Sequence, residues 1–169
     1  MLYTHILVPT DFSPAANHAL EFALEEATQH QARLTLLHVL HNHPTTEVYY
    51  ITDAPQSGAG YATEFGTRLP SLPTHTPETV RRDYYEEARV HLQALVPATF
   101  AGAWEEQVTD GQPADAIVRT AEELDVDLII LATHGRTGVP HMVLGSVAEK
   151  VVRHAPCPVL TLRQRARRA

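Results

Sequence analysis

Short apolar runs alternate along this chain with segments of helical periodicity, and that alternation limits the possible folds more than any other feature. Ile6-Leu7-Val8 is an apolar run ending at Pro9. Leu34 to Leu40 is a second, broken only by Thr35 and His38. Leu128 to Ala132 is the most apolar, and Pro158 to Leu162 is the last. Trp104, Glu106 and Val108 form one alternating face of a weaker strand, suited to a sheet edge. Ala16, Leu20, Leu24 and Ala27 follow at helical spacing behind Ser13, which can cap a helix, and Pro14, which suits its first position. Val80, Tyr84, Ala88, Leu92 and Leu95 share one face of a helix opened by Thr76-Pro77. Gly111-Gln112-Pro113 leads into a helix carrying Ile117, Val118, Ala121 and Leu124, and Ser146 starts a last helix with Val147, Val151 and Val152 inward. The order β-α-β-α-β-α-β-α-β predicts an α/β fold with a mostly parallel sheet, both faces covered, and right-handed crossovers.

The 169 residues suit a single domain, 1–169, with an irregular insertion at about 41–76 and a basic tail at 163–169. Tyr49, Tyr50, Tyr61 and Phe65 in the insertion read as anchors to the domain before they read as a lid over a crevice. A formal net charge of -7 argues against nucleic acid and anionic membrane as partners, and Arg163, Arg165, Arg167 and Arg168 read as a solvated cluster. No apolar stretch approaches the ~20 residues of a membrane span, and the first residues lack the basic and long apolar regions of a signal peptide. A cytoplasmic protein without stable membrane insertion is expected. Cys157, the only cysteine, lies between prolines beside an apolar run and reads as a small core residue. Eleven histidines include the pair His41-x-His43, yet no ligand set with zinc spacing accompanies them, so no metal site is expected.

In an open parallel sheet, ligands bind beyond the C-terminal strand ends where the strand order reverses. The first strand ends at Pro9-Thr10-Asp11, and the fourth runs into Ala132-Thr133-His134-Gly135-Arg136-Thr137-Gly138. If the two strands are neighbours, both loops face one crevice. Thr10 and Asp11 offer a hydroxyl and a carboxylate for ribose hydroxyls or a metal. Gly135, Arg136 and Thr137 offer amides, a cation and a hydroxyl for phosphate oxygens. Gly145, Ser146 and Val147 supply a helix start whose N–H groups suit an anion, and Val39 is placed to wall an adenine ring. A structural explanation competes at each position: Asp11 as a turn residue, Gly135 and Gly138 as a tight turn, and Ser146 with Glu149 as a capping box. The chain has neither a P-loop, its one lysine being Lys150, nor a dinucleotide fingerprint after the first strand, nor a Gly-x-Ser-x-Gly elbow. Asp11 and His134 are the only placed candidates for a general base, so the chain is read as a binding protein and not an enzyme, with slow ATP hydrolysis at most.

Val8-Pro9-Thr10-Asp11-Phe12-Ser13, Thr133 to Gly138, Leu144-Gly145-Ser146-Val147-Ala148-Glu149-Lys150-Val151-Val152 and Ala155-Pro156-Cys157-Pro158-Val159-Leu160 resemble the universal stress protein family. The likeness covers nearly all of the chain outside 41–76, where the family varies. It implies an open five-stranded parallel sheet with helices on both faces, strand order 3-2-1-4-5, in a Rossmann-like fold of the adenine nucleotide alpha hydrolase-like type. It also implies a stress-response regulator, usually a homodimer. Members that bind ATP carry Gly-x-x-Gly, nine residues, then Gly-Ser/Thr. Gly135, the nine residues from Arg136 to Leu144, and Gly145-Ser146 match this, while Ala132 stands where the first glycine would be. A methyl group there narrows the approach to ribose or phosphate only slightly. By this resemblance the ligand is ATP, with AMP or ADP as alternatives and Mg entering through Asp11. Pro9, Thr10, Asp11 and Val39 would flank the adenosine, Leu131 and Ala132 the sugar, and Gly135, Arg136, Thr137, Gly145, Ser146 and Val147 the phosphates. Val159, Leu160, Thr161 and Leu162 would pair with the same strand of a partner subunit, covering an apolar edge that would otherwise invite aggregation. The alternatives of another class are a nucleotide-free dimerisation module and an AMP-binding sensor.

Overall fold

A computed structural model describes residues 3–41, 77–133 and 144–163, the helical residues 77–80 by their backbone alone. The chain divides into two units, residues 1–41 with 85–169 and residues 42–84. The sheet, the core and the site described below belong to the first. The expected insertion at about 41–76, from residue 42 onward, and the arginines of the tail beyond Arg163 lie outside the described residues.

Five strands form one parallel sheet: β1 (His5–Thr10), β2 (Arg33–Leu40), β3 (Trp104–Asp110), β4 (Leu128–Ala132) and β5 (Val159–Leu162), in the order β3-β2-β1-β4-β5. The helices between them are α1 (Pro14–His30), α2 (Pro77–Leu95), α3 (Pro113–Glu123) and α4 (Ser146–His154). The expected α/β order and the expected strand order are both observed, and β3 takes the edge position read from its weak apolarity.

The near-continuous apolar character of β1, β2 and β4 follows from burial on two faces. Side chains alternate across a strand. Ile6, Val8, Leu34, Leu36, Leu128 and Ile130 therefore turn to one side, where they meet Ala19, Leu20, Ala23 and Ala27 of α1 and Leu92 of α2. Leu7, Leu37, Ile129 and Leu131 turn to the other and meet Ile117 and Ala121 of α3 and Ala148 and Val151 of α4. Full burial of a side chain of this size contributes about 1.5–3 kcal/mol. Val152 departs from the expectation: it is 50% exposed, because only Ala148 and Val151 of this short helix are buried against α3 and the sheet.

The polar residues inside these runs have partners. Thr35, fully buried in β2, donates its hydroxyl to Glu105 Oε1 at 3.0 Å and lies 2.7 Å from His5 Nε2. Burial, followed by the nearby Arg33 guanidinium, pushes the His5 ring below the usual histidine pKa. Glu106 of β3, on the inward face with Trp104 and Val108, accepts from Gln93 at 2.9 Å and Arg89 at 3.1 Å.

The two central strands pair over a short length. β1 and β4 are in register only at Ile6↔Leu128 and Leu7↔Ile129, whereas β1 and β2 remain paired to Thr10↔His38. Strand β1 runs through Pro9, which the sequence places at its end. Proline cannot donate to a ladder, and the β1–β4 pairing has already ceased two residues before it.

Asp127 ties the other end of these strands. Its Oδ2 accepts from the Thr4 hydroxyl at 2.5 Å, the Thr4 amide at 2.7 Å and the His5 amide at 2.9 Å, while its own amide donates to the His5 carbonyl at 2.9 Å. These donors, the Thr4 hydroxyl first among them, hold the carboxyl below the ordinary aspartate range. A carboxyl more acidic in the folded state stabilises above its unfolded pKa, and that contribution disappears as pH falls through the folded one. Asp127→Asn is expected to lower stability at neutral pH and to flatten the loss of stability on acidification from about pH 6 to about pH 2, as read by urea denaturation across that range.

Candidate functional site

The residues just past β1 form a closed local turn. Thr10 Oγ1 accepts the Phe12 amide at 3.0 Å, and Asp11 Oδ1 accepts the Ser13 amide at 3.0 Å. Ser13 then caps α1, its Oγ accepting from the Ala16 amide at 3.2 Å, with Pro14 next in the first turn as the sequence predicts. Phe12 is left-handed, with φ of 63°, a conformation that a bulky side chain adopts only under constraint. Both the turn and the cap are structural uses of Thr10, Asp11 and Ser13. Asp11 is thus the turn residue that its position suggests, and it also lines the cavity.

The other half of the site is built where β4 gives way to α4. The Gly145 amide donates to the Thr133 carbonyl at 2.7 Å, and the Thr133 amide donates to the Leu162 carbonyl at 2.9 Å. These bonds bring the start of α4 back to the C-terminal end of β4. Gly145 is the N-cap, with φ of -70° and ψ of 156°, and among the described residues no side chain caps the helix. The capping box expected of Ser146 and Glu149 is not formed. Ser146 is already the first helical residue, so its hydroxyl sits one position too late to cap, and Glu149 pairs with Arg153 instead. Among the described residues the first turn of α4 has no side-chain cap, and the positive end of the helix dipole faces the space before it.

A cavity of about 350 Å3 lies between these two halves. Pro9, Thr10 and Asp11 come from the end of β1, and Leu37, His38, Val39 and His41 from the end of β2. Leu131, Ala132 and Thr133 come from the end of β4, and Gly145 to Ala148 from the start of α4. Ala16 of α1 and Pro113 and Ile117 of α3 complete the lining. Its walls are mainly apolar, and its polar groups gather at the strand ends and the helix start. An arrangement of this kind suits a flat apolar ring carrying a polar or anionic tail.

Nine of the twelve residues singled out from sequence line this one cavity: Pro9, Thr10, Asp11, Val39, Leu131, Ala132, Gly145, Ser146 and Val147. Gly135, Arg136 and Thr137 lie outside the described residues, as does His134. The sequence reading missed the cavity roles of Leu37, His38, His41, Pro113 and Ile117. His38 had a signal: it is a polar break in an apolar strand, and the β1–β2 register sets it opposite Thr10. Its Nδ1 lies 2.8 Å from the Thr10 carbonyl, and its ring packs on Phe12 with centroids 4.4 Å apart. His41 Nδ1 reaches the Gly111 carbonyl at 3.2 Å, beside the entry to α3. Among the described residues, β5 pairs with β4 alone and its four residues are half-buried.

The sequence pattern described as the universal stress protein family matches residues 2–163. Universal stress protein YxiE of Bacillus subtilis is 30% identical over 164 residues, covering 96% of this chain and all of that one. The solved structure of protein MJ0577 of Methanocaldococcus jannaschii superimposes with a TM-score of 0.73 at 26% identity, covering 98% of this chain and 99% of the other. A universal stress protein of Archaeoglobus fulgidus, solved in complex with dAMP, shares the fold with a TM-score of 0.52 at 23% identity, over 95% and 98% of the two chains.

The cap at Ser13 carries both the helix start and the turn at the cavity wall. Ser13→Ala is expected to cost about 1 kcal/mol of stability and to speed hydrogen exchange at the Ala16 amide, checked by chemical denaturation and exchange mass spectrometry.

Proposed function

The chain belongs to the universal stress protein family, and from that membership we propose that the cavity between β1 and β4 binds an adenine nucleotide, ATP before AMP or ADP, in a regulatory stress-response protein of the cytoplasm. The observation that carries this reading is the convergence of two distant segments, Thr10-Asp11 and Gly145-Ser146-Val147, on one apolar-walled cavity. In the proposed pose the base lies against Val39 and Leu37, the sugar beside Leu131, Ala132 and the Asp11 carboxylate, and the phosphates before the start of α4. Gly135, Arg136 and Thr137 would complete the phosphate site, with Mg entering through Asp11. The dAMP complex of the Archaeoglobus relative supports a nucleotide as the ligand class. A homodimer through Val159 to Leu162 of β5 belongs to the same reading, because β5 is the sheet edge beside the cavity strand β4. Catalysis is not part of it.

One observation favours the alternative of a nucleotide-free interaction module. Ala132 lines the cavity, at the position where the resemblance to ATP-binding members implies a glycine.

Purified protein is expected to release adenine nucleotide on denaturation, or to bind added ATP. At one hundred times the dissociation constant the ligand stabilises by about 2.7 kcal/mol, which for a chain of this size raises Tm by roughly 5–10 °C. No binding and no shift at millimolar ATP and AMP would leave the nucleotide-free module standing. Gly145→Val is expected to abolish binding while preserving the fold, since valine readily adopts the extended backbone found there; retained affinity would contradict the phosphate placement. Sedimentation analysis of the wild type is expected to give the mass of a dimer, and a monomer at high micromolar concentration would remove β5 from its assigned role.

A further inference from the structure

We propose that His38 is a positioning residue of this cavity, fixing the turn that carries Thr10 and Asp11 from the neighbouring strand. No residue role described so far requires it, since the nucleotide contacts proposed on β2 are those of Leu37 and Val39.

The geometry has three parts. A carbonyl oxygen only accepts, so the 2.8 Å contact between His38 Nδ1 and the Thr10 carbonyl places a proton on Nδ1. Thr10 and His38 are also the last residues of β1 and β2 to pair. The side-chain bond thus secures the final carbonyl of β1 at the point where the chain leaves the sheet. Finally, the His38 ring packs on the ring of Phe12, which in turn meets His91 of α2 in a T-shaped contact at 5.6 Å.

Thr10 to Phe12, Asp11 to Ser13, and Ser13 to Ala16 are bonds within this turn and the helix start that follows it. Bonds of that kind define a local shape. His38 ties that shape to β2, holding Thr10 by hydrogen bond and Phe12 by ring contact on either side of Asp11. The backbone on either side of Asp11 is thus tied to a side chain 27 positions along the chain.

The consequence for ligand affinity rests on the nucleotide reading above, but the consequence for the turn does not. Three variants separate the parts. His38→Phe keeps a ring and loses the donor. His38→Gln places an amide too far along the side chain to replace Nδ1. His38→Asn places an amide N–H where Nδ1–H stood. In nucleotide-free protein, the Phe12 and Ser13 amides are expected to lose exchange protection in the Phe and Gln variants and to recover most of it in the Asn variant, all three melting cooperatively. ATP affinity is expected to fall about five- to tenfold in the first two, the ratio expected for one lost neutral hydrogen bond, with most of it restored by asparagine. Unchanged protection of both amides in the Phe and Gln variants would overturn the inference. So would equal losses in all three variants, which would mark mere packing. If wild-type protein binds no ATP and yet these amides respond as described, the nucleotide reading fails and the positioning role of His38 stands.

Discussion

The parting of β1 from β4 is the constraint on which the site depends. The strands are registered neighbours at Ile6↔Leu128 and Leu7↔Ile129 and not beyond. Past that point the chain leaves β1 toward one face of the sheet, where α1 packs, and leaves β4 toward the opposite face, where α4 packs. Two adjacent strands whose continuations go to opposite faces open a crevice between them, the general location of ligand sites in open parallel sheets. The crevice is thus a product of the strand order β3-β2-β1-β4-β5 and would exist with other loop sequences. The identities of Thr10, Asp11, Gly145 and Ser146 decide what chemistry fills it.

The opposite ends of the same strands are closed with comparable specificity. Asp127 gathers three donors from Thr4 and His5, and Thr35 joins His5 to Glu105 beneath the sheet. His5 and Thr35 are buried, and their polar groups must be satisfied, because a buried donor or acceptor without a partner costs about 1–3 kcal/mol. Divergence of β1 and β4 is therefore possible at one end while their register is fixed at the other. The two histidines on neighbouring strands serve these two ends: His5 lies in the closed network, and His38 lies at the cavity.

Much of this was legible in the sequence because it rests on pattern. Alternation of apolar runs with helical faces yields the strand order of events and the covered sheet, and Ser13-Pro14 marks the start of α1 by its own chemistry. Boundaries were less legible. Pro9 reads as a strand end, yet β1 carries it, since the requirement for a ladder donor had lapsed where β4 turns away. Ser146 and Glu149 match a capping box by spacing, but Gly145 takes the cap position because its amide is drawn to the Thr133 carbonyl. Val152 fits a helical stripe, though α4 is too short and too close to the sheet edge to bury it. At the site, turn and motif residues could be read from the chain, whereas His38, Pro113 and Ile117 line the cavity only through packing of elements distant in sequence.

Phe12 shows how tightly the site's first turn is specified. A left-handed conformation costs an ordinary residue about 1–2 kcal/mol, and Phe12 holds it within a network that leaves little alternative. Its amide is fixed by Thr10, the next amide by Asp11, and its ring by His38 and His91. Strain persists only where the surroundings over-determine it, so the turn is ordered before any ligand arrives. A ligand entering a pre-ordered wall need not supply the free energy of ordering that segment, which otherwise subtracts from affinity. Rigid placement of one carboxylate, on a turn that also starts a helix and completes a core, is how this fold reconciles a closed interior with an open, receptive edge.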